Sequence, residues 1–285
     1  MSRLFNQTKK AQDWAVREIL ADDPEVGPVI ETMKEVNSRV VDVAAARFQS
    51  CRKIQLASPP DGKLVSNEQV SKALAGEAYR GLRTRLMRVQ ARNGVKSIVL
   101  SSTLPGEGKT LTTMNLALSF ASLFDHSVLV VDADLRTCGL TEVMGGVSGP
   151  GLAEVLLGAA QFEEAVVTTN VPSLYAVPAG KLKGSAPELF AGERWKEFMS
   201  WASESFKIIL VDAPSVLPLA DFDLIASGCD GVLMVVRAQY TRRESLRNVS
   251  SKLDTSKLLG VVYNGAEADN HRAHHRYFQD EQRAS

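Results

Sequence analysis

A doubly wound, mostly parallel α/β sheet with a helical N-terminal extension is the fold class that this sequence predicts. Three observations predict it: short apolar runs recur, helix-length amphipathic segments separate them, and the first run leads through a glycine-rich loop into a helix. The runs are rich in Val, Ile and Leu and do not alternate with polar residues, as expected for parallel strands buried on both faces. Strands that alternate with helices indicate a doubly wound sheet. The predicted strands are 97–102, 127–132, 208–212, 231–236 and 258–264, with a further one within 174–180.

The predicted helices occupy residues 66 to about 91, 111–124 and 242–253. The first begins at Ser66, and Gln69 three residues later predicts a capping box. We therefore expect three regions: a partly helical extension over 1–65, a phosphate-loop domain over 66–266, and a flexible polar tail over 267–285.

Composition excludes several classes of protein. The chain has 285 residues with 33 basic and 33 acidic side chains, so no net charge favours nucleic acid or a membrane surface. Three widely spaced cysteines lack metal-type spacing and indicate reduced thiols. No apolar run is long enough to cross a bilayer, and the N-terminus lacks the apolar core of a signal peptide. We expect a cytoplasmic protein without direct membrane insertion and without a nucleic-acid partner.

The stretch SSTLPGEGKT, residues 101–110, predicts a phosphate-binding loop. Its two glycines let backbone N–H groups approach an anion, and the following helix N-terminus adds partial positive charge. Lys109 supplies a charge for the β- and γ-phosphates, and the Thr110 hydroxyl can ligate Mg²⁺. The expected nucleotide contacts are Pro105, Gly106, Glu107, Gly108, Lys109, Thr110 and Leu111.

Acidic residues follow two of the predicted strands. Asp132 and Asp134, with Arg136, come directly after one strand, and Asp212 ends another. The carboxyl ends of parallel strands converge on the binding crevice of a doubly wound sheet. Phosphoryl transfer needs carboxylates that hold Mg²⁺ and orient or deprotonate the acceptor. We expect Thr110, Asp132 and Asp212 to manage Mg²⁺, either Asp132 or Asp134 to act on the acceptor proton, and Arg136 to stabilise transferring charge.

Three stretches, STLPGEGKT, VVDADLR and ILVDAP, resemble the Walker-type motifs of the bacterial tyrosine kinases (BY-kinases). The loop pattern of that family, S-x-x-P-G-E-G-K-S/T, does not call for the glycine that other phosphate loops have where this chain has Thr103. Glu77, Arg80 and Arg83 match its E-x-x-R-x-x-R motif, which implies intersubunit salt bridges in a ring-shaped homo-oligomer. The resemblance runs from about residue 77 to residue 264.

The resemblance implies an ATP- and Mg²⁺-dependent tyrosine autokinase that regulates capsule or exopolysaccharide assembly or export. It also implies a membrane-anchored polysaccharide co-polymerase or activator as partner, which would recruit the chain to the inner face of the membrane. By the same likeness, Asn264 would contact the adenine. Family tails commonly carry a tyrosine cluster, whereas this tail has Tyr277 alone, and we expect it to be the phosphoacceptor.

Two alternatives stay open at this point. A partition-type ATPase switch would hydrolyse ATP without phosphorylating tyrosine, but such proteins carry a second lysine where this chain has Leu104. A non-catalytic nucleotide-binding regulator would not need every acidic motif residue that this chain retains. The sequence leaves undecided the physiological acceptor, the choice between Asp132 and Asp134, the role of residues 1–65, the number of subunits and the polysaccharide.

Overall fold

A single sheet of eight strands organises the part of the chain that the computed structural model describes, which is residues 47–48, 50–56, 74–123, 126–217, 221–250 and 253–266. The strands are β1 Arg52–Ile54, β2 Ser97–Ser102, β3 Val128–Asp132, β4 Val167–Thr169, β5 Leu174–Val177, β6 Ile208–Asp212, β7 Gly231–Arg237 and β8 Leu258–Asn264. Their order is β1-β4-β5-β3-β6-β2-β7-β8. All neighbours are parallel except β4 and β5. The predicted fold class is confirmed.

Helices connect the strands. They are α1 Leu74–Asn93, α2 Lys109–Ala121, α3 Gly139–Val143, α4 Leu152–Leu156, α5 Phe162–Ala165, α6 Ala186–Ala191, α7 Glu193–Ser205, α8 Asp221–Ser227 and α9 Arg243–Ser250. The three predicted helices correspond to α1, α2 and α9, while the predicted capping box of Ser66 and Gln69 lies outside the described residues. None of the described helices combines the length and apolar character needed to cross a membrane.

Two apolar cores, one on each face of the sheet, explain why the strands read as continuous apolar runs. Successive residues of a strand point to opposite faces. In β2 and β6, Val99 and Val211 face one core with α7 and α8, whereas Leu100 and Leu210 face the other with α1 and α2. Because both faces are covered, neither set of positions has to be polar.

One edge of the sheet departs from the prediction. The short strands β1 and β4 were not predicted, and β1 lies within the region expected to be an N-terminal extension. Phe48 beside it is fully buried, with its ring 5.1 Å from that of Phe206 and 5.4 Å from that of Tyr175. Residues 52–54 therefore belong to the sheet, and Phe48 belongs to its core. The boundary at residue 65 stays a prediction.

Candidate active site

The phosphate loop joins the end of β2 to the start of α2 and depends on two glycines in the left-handed backbone region. Gly106 has φ +84° and Gly108, which caps α2, has φ +92°. A side chain at Gly108 would also place its Cβ 2.1 Å from Nδ2 of Asn264. Only glycine adopts this conformation without strain and leaves this space.

The loop presents backbone N–H groups rather than side chains. Within the described residues, no acceptor takes the N–H groups of Gly106, Glu107 and Gly108. The Glu107 side chain, predicted among the nucleotide contacts, is fully buried inside the loop. Its carboxylate accepts hydrogen bonds from the Leu104 N–H at 3.0 Å and from the Thr241 hydroxyl. Glu107 can thus offer only its backbone to a ligand.

Lys109 lies among the carboxylates at the mouth of the loop. Its Nζ is 3.1 Å from Asp134 Oδ2 and 4.0 Å from Asp212 Oδ2, and these side chains are at most 12% exposed. Burial by itself would lower the pKa of Lys109, but the Asp212 and Asp134 carboxylates outweigh it and raise that pKa. The ammonium therefore stays charged at physiological pH and can neutralise an anionic ligand.

Asp212 and Thr110 form the oxygen-rich side of the site. The Thr110 hydroxyl donates to Asp212 Oδ2 at 2.7 Å, and the Thr113 hydroxyl lies 3.4 Å from Oδ1. Burial raises the pKa of Asp212 to about 6, although Lys109 and the Thr110 hydroxyl oppose that rise. Within the described residues, no three acidic, histidine or cysteine side chains cluster closely enough to hold a metal ion by themselves.

Asp132 is a carboxylate whose ionised form is disfavoured by its surroundings, more so than that of Asp212. It is fully buried, and its Oδ2 accepts from both the backbone N–H and the hydroxyl of Thr141 at 2.7 Å. Its Oδ1 is buried without a hydrogen-bond partner. Burial, and then the neighbouring Asp212, raise the pKa of Asp132 to about 7. A buried oxygen without a partner, on a carboxyl that titrates near neutrality, is typical of a functional group.

Other predicted residues lie at the rim. Arg136 turns its guanidinium to Asp221, with Nε 3.0 Å from Oδ2 and Nη2 3.4 Å from Oδ1. Leu111 is half-buried against the core that lies beside α1 and α2, and Pro105 is exposed. Asn264 donates from Nδ2 to the Glu107 carbonyl at 2.9 Å. The sequence interpretation missed Thr141 and Thr241, since isolated threonines carry no motif signal.

Comparison with known proteins decides the family. The tyrosine-protein kinase YwqD of Bacillus subtilis is 31% identical to this chain over 208 residues, which are 72% of this chain and 87% of that protein. The chain belongs to the bacterial tyrosine-protein kinases. No protein-family model matches it. The kinase is therefore an enzyme, and its phosphate loop implies that it binds ATP.

Structural likeness agrees. The solved BceF tyrosine kinase domain superposes on the kinase with a TM-score of 0.61 at 28% identity, covering 80% of this chain and 88% of that one. The putative tyrosine-protein kinase EpsB of Ralstonia nicotianae is 30% identical over 220 residues, but these are 76% of this chain and only 29% of EpsB. MinD of Pyrococcus horikoshii, complexed with Mg-ADP, is 23% identical with a TM-score of 0.51 and shares the fold.

The predicted oligomerisation residues of the kinase lie on α1 and already have contacts within the chain. Arg80 pairs with Glu77 one turn away. Arg83 donates to the Ser119 carbonyl and to the Ser122 hydroxyl, the latter at 2.9 Å, at the C-terminal end of α2. Arg83 thus ties α1 to the helix that follows the phosphate loop. Tyr277, the predicted phosphoacceptor, lies outside the described residues.

Proposed function

We propose that this kinase uses Mg²⁺ to transfer the γ-phosphoryl group of ATP to tyrosine, on its own tail and on a partner, in polysaccharide assembly or export. The observation that carries the proposal is the set of Lys109, Thr110 and the buried Asp132 and Asp212, which lies beside a loop whose N–H groups have no acceptor among the described residues. Such a set neutralises phosphate charge, and its carboxylates can receive a metal ion and a proton.

The residues fit Mg²⁺. Thr110 and Asp212 are the hard oxygen ligands that this ion prefers, and Mg²⁺ is commonly bound by one or two carboxylates together with substrate phosphates. Bound there, the ion would polarise the phosphates and offset their charge. Burial is the largest cause of the raised pKa of Asp212. A cation bound beside this carboxylate would favour its ionised form. Asp132 would add its negative charge beside these two ligands.

We assign the acceptor proton to Asp132 rather than Asp134. Asp134 is engaged by Lys109 at 3.1 Å through Oδ2, and its Oδ1 accepts from the Thr137 N–H at 3.3 Å. Asp132 has a partnerless Oδ1 and a pKa raised to about 7, which matches the requirement for a base that works near neutral pH. Asp134 would hold Lys109 in position until the phosphates take its place.

Polysaccharide assembly and the membrane-anchored partner rest on the family likeness of the three motifs. The chain would work at the cytoplasmic face, recruited by that partner. Its near-equal numbers of basic and acidic residues provide no general attraction to a membrane surface.

Self-phosphorylation should centre on Tyr277. Tyr175 is buried in the sheet, and Tyr79 lies within α1 and accepts a hydrogen bond from Asn115 Nδ2 at 3.5 Å, so each is held within its own element. We expect Tyr277→Phe to remove most phosphotyrosine formed with Mg·ATP while leaving ATP affinity unchanged. Mass-spectrometric mapping of phosphosites measures this, with Tyr263→Phe as the control. ATP turnover without phosphotyrosine, even with the membrane partner present, would support the ATPase switch instead.

Ring assembly should depend on Glu77 and Arg80 more than on Arg83. The Glu77 side chain is 63% exposed and can exchange its partner within α1 for one on another subunit. We expect Glu77→Ala with Arg80→Ala to convert oligomers into monomers with an unchanged melting temperature, whereas Arg83→Ala should also lower that temperature. Light scattering coupled to size exclusion tests the first expectation. An unchanged mass would mean that these residues only form a solvated face.

A further inference from the structure

Three side chains outside the phosphate loop donate hydrogen bonds to its backbone. They come from the end of β7, the turn that follows it and the end of β8, and each donates to one of three successive loop carbonyls. Tyr240 Oη lies 3.3 Å from the Pro105 oxygen, Arg237 Nη1 lies 3.0 Å from the Gly106 oxygen, and Asn264 Nδ2 lies 2.9 Å from the Glu107 oxygen. All three carbonyls therefore point toward these side chains.

Peptide geometry converts these contacts into a direction for the N–H groups. A trans peptide is planar, so each carbonyl and the N–H of the next residue point in opposite directions. Carbonyls at 105, 106 and 107 that are held toward the three side chains turn the N–H groups of Gly106, Glu107 and Gly108 to the opposite side, which is open to a ligand. These are the same three groups that no described acceptor takes.

Thr241 adds a fourth contact from the same turn. Its hydroxyl donates to the buried Glu107 carboxylate, which also accepts the Leu104 N–H across the loop. The Thr241 N–H in turn donates to the Arg237 carbonyl at 3.0 Å, and the Arg237 N–H donates to the Thr241 hydroxyl at 3.0 Å. The turn is thus closed on itself and can act as a rigid support.

We infer that Arg237, Tyr240, Thr241 and Asn264, here called the outer clamp, are positioning residues for the phosphate-binding N–H groups. The inference rests on the proposed phosphate site. Arg237 and Asn264 lie opposite each other in the register of β7 and β8, and the Arg237 guanidinium lies 5.5 Å from the centre of the Tyr240 ring. The clamp therefore links the edge of the sheet to the loop and orients donors that a bound polyphosphate uses.

The decisive variant is Tyr240→Phe, which removes one hydroxyl and keeps the ring. Binding of ATP and of inorganic tripolyphosphate to the full chain would be measured by calorimetry. We expect both affinities to fall by the same factor, about fivefold, the scale of one neutral hydrogen bond. Tyr263→Phe is the matched control, because Tyr263 is also exposed at this edge and does not contact the loop within the described residues. A loss of affinity for ATP but not for tripolyphosphate would overturn the inference. It would mean that Tyr240 contacts the adenine ring and does not position the loop.

A second pair of variants separates positioning from general stability. We expect Thr241→Val to raise the KM for ATP about fivefold with kcat nearly unchanged, on the same hydrogen-bond scale, and Thr241→Ser to restore it. A loss that follows a lowered melting temperature and is not restored by serine would overturn the inference. If the parent binds ATP and tripolyphosphate, and neither Tyr240→Phe nor Thr241→Val lowers either affinity, the clamp is wrong but the proposed phosphate site stands. If the parent binds no tripolyphosphate, the proposed phosphate site fails with it.

Discussion

Lys109→Ala should abolish tyrosine phosphorylation and most ATP binding. Lys109 is the cation that contacts Asp134 and Asp212 in the described site, while the nearby Arg136 is bound to Asp221. Among the described residues of the site, no second cation is therefore placed to replace its charge at the phosphates. We expect the rate of phosphotyrosine formation to fall about a hundredfold to a thousandfold, the usual cost of losing one preorganised donor to transferring charge.

The control is Lys109→Arg, which keeps a positive charge between the same carboxylates but changes its shape. It should retain the fold and part of the ATP affinity, because arginine and lysine differ in how they meet a phosphate. Lys109→Ala leaves two buried carboxylates without their cation, so its melting temperature has to be measured alongside activity. Labelling by a folded Lys109→Ala protein at the parental rate would remove this loop from the active site.

Asp132→Asn should abolish transfer and at the same time stabilise the nucleotide-free protein. Loss of a general base typically costs about a hundredfold to ten-thousandfold in rate. In the resting fold, however, the Asp132 carboxyl is buried next to Asp212, and its charged form is unfavourable. Asparagine can keep accepting the two Thr141 hydrogen bonds through its carbonyl oxygen and brings no charge.

The stabilisation by Asp132→Asn should depend on pH in a defined direction. The pKa of Asp132 is raised from its ordinary value of 3.8 to about 7 in the folded state. The folded protein therefore binds the proton more tightly than the unfolded chain, and parental stability falls as pH rises through that interval. We expect the variant to match the parent near pH 4 and to exceed it by about 4 kcal/mol above pH 7. Denaturant unfolding without metal across this range measures the difference.

Asp230→Asn is the matched control because the pKa of Asp230 is shifted in the opposite direction to that of Asp132. Burial opposes ionisation of Asp230, but hydrogen bonds from the Ser97 and Lys96 N–H groups outweigh it and lower the pKa of this carboxyl. Its stabilising contribution is present above the ordinary pKa and is lost as pH falls. Asp230→Asn should therefore be less stable than the parent at neutral pH, and the gap should close in acid. Parallel behaviour of the two variants would contradict the assigned shifts.

Much of the fold could be predicted because its signals are local. Five apolar runs without alternation correspond to β2, β3, β6, β7 and β8. The first four are covered on both faces and need no polar positions, whereas β8 lies at the edge and exposes Val261 and Tyr263. By contrast, β1 and β4 have only three residues each and lie at an edge, one beside an antiparallel partner. Segments this short show no periodicity, so their pairing depends on the neighbouring strand rather than on their own sequence.

The phosphate loop could be predicted from the sequence, because Gly-Lys-Thr after a strand encodes loop and helix N-terminus within a few positions. The partners of these residues could be read only from the folded chain. Lys109 pairs with Asp134, Arg136 turns to Asp221, and Tyr240 holds a carbonyl 135 positions earlier in the chain. Contacts of this range arise when separate strands bring their ends to one edge of the sheet. That convergence is a property of packing, and no short stretch of the chain carries it.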